Sequence, residues 1–257
     1  MVSSLSITGM VIQLSISILF PIGLIIFLRK KGLFSWKPFG IGVLVFILFA
    51  QVFEKILHVV MIEPSGLSLK WSDSTYLFVL YAVLAAGIFE EFGRYFGFKW
   101  LLKKHREYKD GLSFGLGHGG IEAVLIGGLA AVNAIVIAFM INSGAFDQTI
   151  ALNLPAEQAN LIKEQLLGAT FGEFLLAGFE RVAAITVHIA LSLLVLLGIH
   201  NKRFVYVLYA VLLHALLDVV PALYQVGVIT NIWVAEVVIY LFGIGAFFFI
   251  RNLKEQF

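Results

Sequence analysis

The run Phe89-Glu90-Glu91-Phe92-Gly93-Arg94 puts two carboxylates and a guanidinium inside a stretch, Leu77 to Leu102, that is otherwise apolar. An ionised side chain at mid-membrane depth costs several kcal/mol unless it is paired or faces water, so such residues are candidates for function by default. At helical spacing Arg94 lies one turn from both carboxylates and can pair with one, leaving the other free. A buried ion pair that merely locks helix packing accounts for one Glu and for Arg94. It does not account for the second Glu.

Two further patterns join this one. His118-Gly-Gly-Ile-Glu122 and His214-Ala-Leu-Leu-Asp218 are both i,i+4 pairs, so each carboxylate can orient the imidazole on its own helix face. Gly119 and Gly120 remove bulk beside His118, leaving room for a substrate backbone or a water. His188 stands alone on another apolar stretch. A carboxylate and an imidazole facing one water can act as general bases, and a second imidazole or a protonated carboxyl can donate to a developing oxyanion. That chemistry fits hydrolysis of a peptide bond within or near a membrane. A weaker group comprises Glu54, Lys55, His58, Glu173, Glu180 and Arg181. It reads mainly as structural ion pairs, or as lining of an approach, with Glu180, two turns from His188, a supporting residue of the site.

The elements that must carry these residues are membrane spans. Of 257 residues, 60% are hydrophobic and 13% charged, about half the charged share of a soluble domain. With no room for a sizeable soluble domain, the chain reads as one all-α transmembrane domain over 1–257. No cysteine is present, which excludes disulfides, thiolate metal sites and a cysteine nucleophile. No basic patch with interleaved aromatics points to nucleic acid. A span needs ~20 mainly apolar residues, which gives about seven: Ile7–Leu28, Phe39–Ile62, Thr75–Leu102, Leu112–Ile141, Phe171–Gly198, Phe204–Leu223 and Ile229–Ile250. Lacking a positive n-region and a cleavage site, the first is expected to be retained. Arg29, Lys30, Lys31 and Lys37, then Lys103, Lys104, Arg106 and Lys109, then Lys202 and Arg203, then Arg251 and Lys254 follow alternate spans; the other loops carry only Lys70 and Lys163. The positive-inside rule then puts the N-terminus outside and the C-terminus in the cytoplasm of a multi-pass cell-membrane protein. In the outer loop 143–170, Pro155 followed by Leu161, Ile162 and Leu166 reads equally as a short amphipathic helix on the bilayer or as a plain linker.

Counting ~1.5 Å per helical residue from the cytoplasmic ends gives relative depths: Glu90 and Glu91 ~17 Å, Arg94 ~12 Å, His118 ~9 Å, Glu122 ~15 Å, His188 ~15 Å, His214 ~15 Å and Asp218 ~21 Å. A single buried histidine is usually a satisfied core residue. Three on three helices, beside two glutamates at matching depth, favour one shared site in the cytoplasmic half of the membrane.

Glu90-Glu91-x-x-Arg94, Phe114-x-x-x-His118 and His214-x-x-x-Asp218, in that order on successive spans, resemble the three motifs of the CAAX-type glutamic intramembrane proteases. Within that superfamily the chain is most similar to the bacterial YhfC family of intramembrane peptidases, and the resemblance covers most of its length. It implies that Glu90 activates water together with His118, that His214 and Asp218 form the oxyanion site, that Glu91 or Arg94 support them, and that no metal takes part. Two departures stand out. The CAAX pattern has three residues before the Arg where this chain has two, and Asp218 occupies a position that is often Asn.

Two other readings compete. His118, His188 and His214 with a Glu could hold Zn²⁺ with one position open to water, although no His-Glu-x-x-His signature is present. Intramembrane Glu and His also build proton relays, which makes a transporter or receptor the non-enzymatic alternative; no inverted repeat or matched pair of broken helices supports it. Prenylated peptides, bacteriocin precursors and signal-peptide remnants are all compatible membrane-associated substrates.

Overall fold

The computed structural model describes residues 1–257. Seven helices are long and apolar enough to cross a membrane: α1 Ser4–Lys30, α2 Trp36–Met61, α3 Thr75–Leu101, α4 Tyr108–Ser143, α6 Phe171–His200, α7 Val205–Gln225 and α8 Ile232–Gln256. Between α4 and α6 lies the shorter α5, Ala156–Gly168. Strands are absent, and only isolated bridges near Leu69 break the helical pattern. More than half of the surface of Leu19, Val59, Tyr76, Leu212 and Leu241 is exposed, as expected of side chains that a bilayer covers.

The span ends differ from the hydropathy reading where caps intervene. The seventh span starts at Ile232 rather than Ile229, because the Asn231 side chain accepts a hydrogen bond from the Trp233 amide at 3.0 Å. The fourth starts four residues early, at Tyr108: the Glu107 amide donates to Asp110 Oδ2 at 3.1 Å and fixes the first turn. Wide π-type turns interrupt α2 at Phe46–Glu54 and α4 at Ala123–Gly128, and close α3 at Gly97–Leu101.

The chain divides into two compact units. One comprises Met1–Ile22 and Glu122–Val182. Its core gathers Val2, Met10 and Ala138 with Leu166 and Phe174. The N-terminus is tied down by the Val2 amide donating to Asn142 Oδ1 at 2.7 Å, and Gln13 donates to the Gly127 carbonyl at 3.1 Å. Pro155 precedes α5, whose Ala159 is buried and whose Leu161 is exposed, the two-faced character that the leucine spacing implies. Glu173 caps the start of α6: the Thr170 amide donates to its carboxylate at 2.9 Å.

The other unit comprises Gly23–Ile121 and Ala183–Phe257 and holds the larger core, in which Phe98, Phe114, Val187, Leu191, Val195, Leu196 and Val207 are buried together. Along α6 almost every side chain from Ile185 to Ile199 is buried.

Candidate active site

Glu90, Glu91, Arg94, His118, His188, His214 and Asp218 all belong to this second unit. Small residues let its helices approach until their backbones touch. A Cβ on Gly115 would fall 2.4 Å from Ile189 Cα, and one on Gly119 would fall 3.0 Å from His188 Cβ, so α4 packs directly on α6 where His188 emerges. Gly117 and Gly42 do the same between α4 and α2; there a Cβ would meet the carbonyls of Phe39 and Phe114 at 2.1 and 2.2 Å. On α3, Gly87 sits against the Val211 carbonyl of α7, which brings the carboxylates one turn further on beside His214. Glycine spacing of this kind is the usual means by which spans pack closely in lipid.

Four helices deliver the polar groups. Glu90 Oε2 is the hub. It accepts from His118 Nε2 at 2.8 Å and from Arg94 Nη2 at 3.3 Å, and lies 3.8 Å from His188 Nδ1 and 3.9 Å from His214 Nε2. Arg94 is fully buried; besides Glu90 it pairs with Glu91 and lies 2.6 Å from His188 Nδ1. A guanidinium cannot accept, so His188 Nδ1 is the acceptor in that bond. Glu91, with no exposed surface, accepts from His214 Nδ1 at 2.7 Å. His214 Nε2 is 3.5 Å from Asp218, the one member of the group with substantial exposure. The rings of His118 and His188 lie 5.1 Å apart, and Phe46 packs edge-on against His118 at 5.1 Å.

The structure therefore brings together Glu90, Glu91, Arg94, His118, His188, His214 and Asp218, with Glu90 within reach of all three imidazoles. Arg94 bridges both carboxylates instead of leaving one free. The space beside Gly119 is taken by His188. Glu180 goes elsewhere, to Arg181, which also pairs with Glu122 at 3.3 Å. Glu54 and His58 form a separate pair at 3.0 Å that takes in Tyr81, whose hydroxyl lies 2.9 Å from His58 Nδ1. Nothing in the sequence singles out Tyr81, because a tyrosine in a span is ordinary; its position on α3 opposite His58 is visible only in three dimensions.

A divalent cation suits this donor set. Glu90, His118 and His188 offer ligand atoms all within 4.8 Å of one another, buried and contributed by three helices. Two imidazoles and a carboxylate are the donor types of hydrolytic zinc sites. A positively charged group, the Arg94 guanidinium, already lies between Glu90 and His188. Two buried acceptor atoms of the cluster, His118 Nδ1 and Glu91 Oε2, have no hydrogen-bond partner, lone pairs that an ion or an ordered water would satisfy. Of the three imidazoles expected to hold Zn²⁺, His118 and His188 belong to this set. Glu90 is a carboxylate beside them, as that expectation allowed, whereas the Nδ1 of His214 is engaged by Glu91.

Comparison with known proteins agrees. Residues 16–239 match a family model described as "YhfC intramembrane metalloprotease". "Uncharacterized membrane protein YhfC" of Bacillus subtilis (strain 168) is 41% identical over 258 residues, covering 100% of both chains. No solved structure matches. The family's description and the buried His/Glu donors support the metal-dependent alternative over the expectation of a reaction without metal.

Proposed function

The chain belongs to the YhfC intramembrane metalloprotease family, and from that premise we propose that it hydrolyses a peptide bond of a membrane-associated substrate at a divalent metal, of the zinc type, held by Glu90, His118 and His188. The observation that carries this reading is the convergence of those three donors, from three spans, within 4.8 Å. When bound, the ion supplies Lewis acidity toward water and the peptide carbonyl.

The remaining chemistry belongs to the side chains. Glu91 accepts a hydrogen bond from His214 Nδ1, which turns Nε2 toward Glu90 and Asp218. His214 Nε2 takes a proton from the attacking water and returns it to the departing amine. Arg94 holds Glu90 and Glu91 in place by its contacts with both. Phe46 and the surrounding aliphatic core exclude bulk water from His118, which strengthens each electrostatic contact.

One observation favours a second reading. The Glu90–His118 pair at 2.8 Å has the geometry of a carboxylate–imidazole base acting on water without a metal. A single experiment separates the two: metal analysis of purified protein, with cleavage of a membrane peptide before and after chelation. About one equivalent of metal, lost in His118→Ala and His188→Ala, with cleavage that stops on chelation and returns on adding Zn²⁺, supports the metalloprotease. Full turnover in metal-free protein overturns it in favour of the glutamic mechanism.

A further inference from the structure

Hydrolysis consumes one water per bond, yet the side chains of Glu90 and His214 are only 10% and 5% exposed. Water must therefore reach them by a defined way. Asp218 marks it. Its carboxylate is 3.5 Å from His214 Nε2, and 34% of its side chain is exposed. The same residue lines a cavity of about 260 Å³ between α2, α3 and α7, together with Glu54, His58, Ala82, Ala222 and Gln225. At ~30 Å³ per molecule this volume holds several waters. Asp218 and Gln225 are two turns apart, ~10 Å along the axis, and Gln225 is exposed at the end of α7.

We propose that this cavity, with four polar side chains in its wall, is the port by which water enters the reaction centre, opening on the face of loops 62–74 and 226–231, and that the Glu54–His58–Tyr81 array holds its wall open. The proposal rests on the peptidase reading for its purpose, not for its existence. The array could serve simply to clasp α2 to α3, and His58 does bridge Glu54 at 3.0 Å and Tyr81 at 2.9 Å. A clasp alone, however, has no need to border a cavity that carries Glu54, His58 and Gln225 in its wall and ends on the site residue Asp218. The larger cavity nearby, about 410 Å³ among Val187, Leu213 and Phe249, has aliphatic and aromatic walls and stays dry for that reason. Loops 62–74 and 226–231 carry Lys70 as their one basic residue. The port thus opens opposite the arginine- and lysine-rich loops.

The absence of cysteine makes a direct test possible. Single-cysteine variants Ala82→Cys and Ala222→Cys place a thiol in the cavity. Ser65→Cys marks the loop on the same face, Lys104→Cys the loop at the other end of α3, and Leu216→Cys the lipid-facing side of α7. Each is treated with a charged, membrane-impermeant thiol reagent in sealed vesicles of either orientation. The cavity thiols are expected to react in the same vesicles as Ser65→Cys. Leu216→Cys is expected to react roughly 100-fold more slowly, because the thiolate is the reactive form and apolar surroundings suppress it. Modification of Ala222→Cys should also cut peptide turnover at least about tenfold, the effect of ~1.4 kcal/mol on the barrier. Cavity thiols as inert as Leu216→Cys, or reactive in the vesicles that label Lys104→Cys, overturn the port. So does full modification with turnover unchanged. If labelling follows the expected pattern and the unmodified protein cleaves no peptide, the hydrated cavity stands and the peptidase reading falls.

Discussion

Glu91→Gln tests whether the second carboxylate acts through His214. Both of its neighbours converge on one oxygen: His214 Nδ1 at 2.7 Å and an Arg94 nitrogen both donate to Glu91 Oε1, while Oε2 is buried without a partner. Neither neighbour leaves room for an amide donor at that point, since Arg94 has no lone pair to offer. The glutamine carbonyl must therefore stay where Oε1 was, and the imidazole tautomer is preserved. What is lost is charge. A hydrogen bond to a charged acceptor contributes ~1.5–3 kcal/mol against ~0.5–1.5 for a neutral one, so two such bonds weaken by about 2 kcal/mol together. At 1.36 kcal/mol per decade, kcat should fall by roughly 30-fold. KM should hold, because Glu91 has no exposed surface with which to touch substrate. The amide NH₂ left buried at the Oε2 position adds a stability cost of ~1–3 kcal/mol. The assay is cleavage of a fluorogenic membrane peptide in proteoliposomes, run beside thermal unfolding of the same preparation. Wild-type kcat would refute the reasoning, and so would a rise in KM at constant kcat, which places Glu91 in substrate binding.

Glu90→Ala and His214→Ala should each abolish cleavage while the protein still purifies as a folded monodisperse species; turnover at the wild-type rate in either removes that residue from the reaction. Gly115→Ala would set a Cβ 2.4 Å from Ile189 Cα, a backbone contact that no rotamer change relieves. It should destabilise by ~1–3 kcal/mol. Gly245→Ala on α8, with nothing within 4 Å of the added atom, should leave the unfolding midpoint unchanged; equal behaviour of the two variants would mean that close approach of α4 to α6 is not what holds His188 in place.

The spans are legible in the sequence because lipid imposes a single length and polarity on them. All seven recur within a few residues of their hydropathy limits. The differences at Ile229 and Leu112 arise where Asn231 and Asp110 satisfy backbone amides at a helix start, a local effect that hydropathy does not register. Within the site, Glu90, Glu91, His118, His188, His214 and Asp218 are visible because a polar group in an apolar helix is conspicuous. Partner choice is not. The i,i+4 spacing of His118 and Glu122 suggests one pair, but His118 takes Glu90 from α3 while Glu122 takes Arg181. Helical spacing shows which groups can meet along one helix. It contains nothing about competitors brought in by the packing of others, and here that packing depends on glycines whose role emerges only once their neighbours are known.

Charge explains why the cluster has this composition. Glu90, Glu91 and Asp218 surround His214 within 3.9 Å, with Arg94 as the one permanent cation among them. With the carboxylates ionised and the imidazoles neutral, two negative charges remain unbalanced, a costly state beneath a bilayer. Protons on two imidazoles could cancel them, but His214, the ring that all three carboxylates face, would be one of the two, and a protonated imidazole has no lone pair with which to accept a proton from water. On the proposed reading, a divalent cation at Glu90, His118 and His188 would cancel the same charge and would leave His214 neutral, oriented by Glu91 and able to act as a base. The second glutamate, unexplained by a simple Glu–Arg lock, would thereby acquire a role, orienting His214 through its Nδ1 while Glu90 would face the ion. On this account removal of the metal should disable the site electrostatically as well as chemically, because the protons that replace the ion occupy the nitrogens the reaction needs.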